Sequence, residues 1–140
     1  MRNGTAALVV VLSVACASLG RSSTSALVDR EWRLVSLHGQ PAVPSTGMRA
    51  AGLRMSGDSL RMSGSGGCNR IGATYTLDGD RLSFGPILAT RMACADALLN
   101  RQETDFLAAL QATTRYRIAG DTLILAGAGD DLARLLRAAR

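Results

Sequence analysis

The chain has 140 residues, enough for one domain and a leader. Apolar residues make up 47% and charged residues 19%, which excludes a disordered chain, and aromatics at 4% leave the core to Leu, Val, Ile, Met and Ala. The net charge is +5 and every basic residue is arginine, but the arginines are dispersed among acids with no basic run, which argues against nucleic acid as a partner.

The first residues read as a leader. Met1-Arg2-Asn3 is short and positive, and residues 6–15 form an apolar run of signal-peptide length. The run is too short for a transmembrane helix, which needs about 20 apolar residues. Leu12-Ser13-Val14-Ala15-Cys16 resembles a bacterial lipobox, with Ser13 departing from its usual Leu. The resemblance implies lipidation of Cys16 and a membrane as partner; Ala17 after it implies the outer membrane. Cleavage by a plain signal peptidase near residues 17–20, giving a periplasmic or secreted protein, and a cytoplasmic start are the alternatives. Residues 1–16 are therefore assigned to the leader. Residues 17–30, rich in Ser and Thr, are assigned to a flexible tether.

From Glu31 the pattern changes to short alternating segments. Glu31 to Leu37 reads as a strand, with Trp32 and Leu34 on one face and Trp32 as a core plug. A loop with Pro41 and Pro44 follows, and His38 beside it reads as a surface residue. Leu53-Arg54-Met55-Ser56 and Leu60-Arg61-Met62-Ser63 flank a turn and form a hairpin. Ile71 to Leu77 and Arg81 to Phe84 form another around Asp78-Gly79-Asp80. Asp96 caps a helix whose apolar residues Leu98, Leu99, Phe106, Leu107 and Leu110 oppose Arg101, Gln102, Glu103 and Asp105. Strands follow at 115–118, 122–125 and near 133–136, then a basic tail at 137–140. The expected fold is α+β: a mainly antiparallel, strongly curved sheet or partial barrel of seven to eight short strands, packed on one helix.

Setting Cys16 aside leaves Cys68 and Cys94. An even count in an exported domain argues for a disulfide. Two buried free thiols and a reactive or metal-binding thiol are the alternatives. Zinc needs about four ligands, and His38 is the only histidine, so neither a metal centre nor a catalytic thiol is expected. The run Gly64-Ser65-Gly66-Gly67 precedes a strand and not a helix, and no Lys exists. A phosphate loop is therefore not expected, and the glycines serve positive φ or close backbone approach.

Trp32-Arg33-Leu34, the run Gly64 to Arg70 with Gly72 and Tyr75, Thr90-Arg91-Met92-Ala93-Cys94, Glu103 with Phe106 and Leu110, and the late Tyr116 and Leu123-Ile124-Leu125 together resemble the META domain, the HslJ-like family of bacterial heat-shock and envelope proteins. The likeness covers about residues 31–136. It implies a compact mixed domain, often in a lipoprotein, linked to stress response and antibiotic tolerance, and supplies no active site or cofactor. Gly64, Gly67, Asn69, Arg70, Thr90 and Met92 are structural motif residues in this reading, and Asn69 is expected to bond nearby backbone. The function expected is a non-enzymatic envelope protein acting by binding to an envelope protein or lipid. Alternatives are a module holding a lipid or hydrophobic peptide between helix and sheet, and a small hydrolase using Asp78 with Asp80 or Asp130 with Asp131.

Overall fold

Strand β1 (Glu31–Leu37) buries Trp32 and Leu34 and exposes Glu31 and Arg33, as a half-buried strand must. Its pairing shifts register between Leu34 and Ser36, so Leu37 rather than Ser36 is the next buried residue. The computed structural model describes residues 21–45, 50–92 and 94–139. Within them, β1 is followed by β2 (Gln40–Pro41), β3 (Gly52–Ser56), β4 (Arg61–Ser65), β5 (Arg70–Asp78), β6 (Arg81–Phe84) and β7 (Leu88–Ala89). Helix α2 (Ala97–Ala112) leads to β8 (Arg115–Ala119), β9 (Thr122–Ala126) and β10 (Asp131–Arg137), and helix α1 (Arg21–Leu27) precedes them all.

Every pairing is antiparallel. Neighbours run β10-β9-β8-β6-β5-β4-β3-β1, and β10 then pairs back onto β1 from Trp32↔Arg137 to Leu37↔Ala133. Eight strands thus close a barrel, which removes the sheet edges that an open sheet would expose. The closure corrects the expectation of a partial barrel, and the short β2 and β7 lie outside the ring. Its narrowest seam is β6 to β8, with the single pair Arg81↔Arg115.

Helix α2 packs against β6 on one side of the ring and β10 and β1 on the other, so it lies over one mouth of the barrel. Asp96 caps it, its carboxylate accepting from Leu98 N and Leu99 N. Phe106, Leu110, Met55, Met62, Leu82, Leu123, Leu125 and Leu135 are fully buried, so the interior is packed with side chains. The face of α2 differs from the expected one: Leu98 is 65% exposed, whereas Gln102 and Glu103 are buried.

Two assignments at the ends change. The stretch expected to be a tether contains α1, and Leu27 is fully buried in the core. The packed unit therefore starts before Glu31. The Trp32 indole N–H donates to Leu27 O at 2.9 Å, and Asp29 N donates to Met55 O at 2.7 Å. Trp32 is the core plug expected, and its indole fastens β1 to the end of α1. Arg137, assigned to a tail, ends β10, pairs with Asp121 at 3.3 Å and lies 5.9 Å over the Trp32 ring. Residues 1–16, expected to form a leader ending at Cys16, lie outside the described residues.

Candidate functional site

The connection from β4 to β5 reaches the mouth that α2 covers, and there a buried carboxylate waits. Glu103, in the second turn of α2, is 7% exposed. Its Oε2 accepts from Cys68 N at 2.9 Å and Asn69 N at 2.6 Å, and its Oε1 from Asn69 Nδ2 at 2.5 Å. Consecutive backbone N–H groups aimed at one oxygen make an anion-binding concavity, here filled by the protein's own side chain. Three donors satisfy the charge that burial would otherwise penalise.

The glycines shape this concavity. A Cβ at Gly66 would lie 2.5 Å from Glu103 Oε2 and 2.6 Å from its Cγ, so only glycine admits the carboxylate. Gly67 has φ +118°, a backbone state that L side chains rarely adopt, and its N–H donates to Ser65 Oγ at 3.1 Å. Gly64 serves the other role expected: a Cβ there would meet Gly52 O at 2.2 Å, where β3 and β4 approach closely.

Asn69 carries the network onward. Its Oδ1 accepts from Met92 N at 2.6 Å and Thr90 Oγ1 at 3.0 Å. Thr90 Oγ1 also accepts from Arg70 N, and Thr90 N donates to Arg70 O, both at 3.1 Å. Met92 participates through its backbone, its side chain being 62% exposed. A disulfide joins Cys68 to Cys94, with Cα atoms 5.6 Å apart. The structure thus brings Gly67, Cys68, Asn69, Arg70, Thr90, Met92 and Cys94 together. Glu103, placed by helical periodicity on the solvated side, is the hub that joins them. Its companion Gln102 ties α2 to the loop after β2, accepting from Val43 N at 2.5 Å.

The acid pairs considered for hydrolysis lie elsewhere. Asp80 pairs with Arg115 at 3.5 Å. Asp131 receives a two-pronged contact from Arg117 at 2.9 and 2.8 Å, with Arg134 at 3.1 Å. The Arg117 hydrogen bonds hold the Asp131 carboxyl below the usual carboxylate range, with Arg134 adding to the effect. Among the described residues, no group of three His, Cys, Asp or Glu side chains is placed to hold a metal ion.

This arrangement of clasp and barrel coincides with a match of residues 25–139 to the family model for the META domain. The chain belongs to the META domain family. Two solved structures share the fold. The NMR structure of a protein from Burkholderia xenovorans superposes with a TM-score of 0.68 and 30% identity, covering 84% of this chain and 87% of that one. A second NMR structure gives a TM-score of 0.64 at 26% identity, covering 80% of this chain and 92% of that one. No curated protein matches. In this META domain Glu103, Asn69, Thr90 and the Cys68–Cys94 disulfide form a clasp that fastens a helix over a barrel mouth.

Proposed function

We propose that this META protein is exported, anchored in the cell envelope through Cys16, and acts by binding in stress or antibiotic tolerance, without catalysis. The carrying observation is the Cys68–Cys94 disulfide within the clasp, because such bonds persist in oxidising compartments. The clasp also engages its polar groups in architecture: Glu103, Asn69 and Thr90 each bond backbone. Binding belongs to the outer wall, since Phe106, Ala109 and Leu110 fill the space between helix and barrel where a lipid or peptide would have to lie.

The test is palmitate labelling and fractionation of the full chain in its host. Envelope-associated, labelled protein whose label disappears in Cys16→Ala supports the reading. A cytoplasmic protein in which Cys16, Cys68 and Cys94 all titrate as free thiols overturns it. So does a turnover on an envelope substrate that a point substitution abolishes.

A further inference from the structure

The clasp also fixes the edge of an open groove on the outer wall of the barrel, with a volume of about 630 Å³. Pairing places Arg33, Gly52, Ser65 and Arg70 in one row across β1, β3, β4 and β5, with Arg33 and Arg70 exposed at its ends and Gly52 and Ser65 buried between them. Gly52 and Ser65 form a floor with no long side chain, and Arg33 and Arg70 rise at its ends, three strand spacings or roughly 14 Å apart. In the next row Arg54 stands beside Glu31. Three arginines thus face one glutamate around the groove.

The glycine has a packing reason, since a Cβ at Gly52 would meet Trp32 O at 2.2 Å. Among the described residues neither Arg33 nor Arg70 makes an ion pair, whereas Arg54 has Asp29 at 3.7 Å. Both are exposed, and the Arg70 backbone is held in place by Thr90. Exposed guanidinium groups outside any ion pair among the described residues, set at the ends of a small-residue floor, suit phosphate oxygens, each of which they can meet with paired N–H donors.

The same wall carries apolar residues. Leu136 lies directly across from Arg33 and is 44% exposed, and Val35 is 38% exposed. Arginines interleaved with exposed aliphatic side chains fit the boundary of a lipid surface, where the charge meets head groups and the aliphatic residues meet acyl chains. Chain length permits this. From Cys16 to Arg21 the chain spans at most about 17 Å, and the seven residues of α1 add roughly 10 Å. Asp29, just after α1, already touches Arg54 at the groove.

We propose that the groove bounded by Arg33, Arg54 and Arg70 binds the phosphate of anionic phospholipid head groups, laying this wall of the barrel on the membrane. The proposal rests on the anchored-envelope reading for its geometry, but its test does not need the anchor. Cys16→Ala protein, which carries no acyl chain, is sedimented with phosphatidylcholine vesicles with and without phosphatidylglycerol. Binding is expected only with phosphatidylglycerol and weakens with added salt. Arg33→Gln/Arg70→Gln should lower the partition coefficient at least about tenfold, the scale expected for two arginines near an anionic surface. Arg81→Gln/Arg101→Gln removes the same charge elsewhere on the surface and should change it less than about twofold. Unaltered thermal melting of both variants shows that the exposed substitutions leave the fold intact.

Equal losses in the two variants, or no binding to phosphatidylglycerol vesicles, overturn the proposal. Perturbation of the Arg33 and Arg70 side-chain resonances by inorganic phosphate without vesicle binding also overturns it, in favour of a soluble anion. Palmitate labelling with no effect of Arg33 and Arg70 leaves the anchored reading standing. Vesicle binding by an unexported protein leaves the groove standing without the anchor.

Discussion

Glu103 and Asn69 meet through both the backbone and the side chain of the asparagine. One carboxylate oxygen takes the Asn69 N–H and the other takes its Nδ2. Asn69 Oδ1 then binds the strand-and-loop segment that leads to Cys94. Helix, glycine loop and disulfide segment are thereby fastened at one point. Glu103→Ala leaves three donors without their charged acceptor and should cost about 3 kcal/mol or more in urea unfolding. Glu103→Gln should cost less, as it keeps one acceptor oxygen.

The glycine requirement is specific to position. Gly66→Ala should destabilise by about 1–3 kcal/mol because its Cβ would overlap Glu103. Gly67→Ala meets no atom within 4 Å yet should cost about 1–2 kcal/mol through φ alone. Gly129→Ala, with open space and no left-handed φ, should lie within about 0.5 kcal/mol of wild type. Thermal or urea denaturation of the three variants checks the order.

The disulfide closes a loop between residues 26 apart in sequence. The chain-entropy relation gives about 3.5 kcal/mol for its loss in Cys68→Ala/Cys94→Ala. Unfolded, unreduced mature protein should show neither of these thiols to a thiol reagent, and both after reduction.

Helix α1 should behave as part of the domain. Leu27→Ala removes a fully buried side chain and should cost about 2–4 kcal/mol. Trp32→Phe should cost about 1–2 kcal/mol by leaving Leu27 O without its donor. A chain beginning at Glu31 should melt lower than one beginning at Arg21.

Stability should fall on both sides of neutral pH. The Asp131 pKa is lowered on folding, so its contribution is present above the unfolded value of about 4 and is lost as pH falls through the folded one. Burial pushes the Tyr75 and Tyr116 phenols up, with Asp29 adding at Tyr75, and at Tyr116 Thr24 opposing and Asp80 adding. Their contribution is present below about pH 10 and is lost as pH rises through the folded values. Asp131→Asn should flatten the acid slope of unfolding free energy, and Tyr116→Phe the alkaline slope.

The strands were legible because apolar and polar residues alternate from Trp32 to Leu135, and Asp78-Gly79 marks its hairpin. The disulfide was legible from the cysteine count, because reading Cys16 as part of an expected leader leaves one pair, Cys68 and Cys94. Barrel closure was not, because β10 to β1 pairing joins the two ends of the chain and leaves no local signal. Gln40–Pro41 and Leu88–Ala89 are too short to alternate. Glu103 was misplaced because periodicity sorts side chains by polarity, and a carboxylate satisfied by three donors can be buried without penalty. Gly66, with Asn69 alongside, was the available clue: a residue with no side chain marks where another group must approach.

The clasp is tested most directly by a double-mutant cycle on Glu103→Gln and Asn69→Ala, read by urea unfolding of oxidised protein. Direct bonding predicts that the double variant loses less than the sum of the single losses, by at least about 1 kcal/mol. Additive losses within about 0.3 kcal/mol would contradict it and leave the disulfide and core to hold the helix over the barrel.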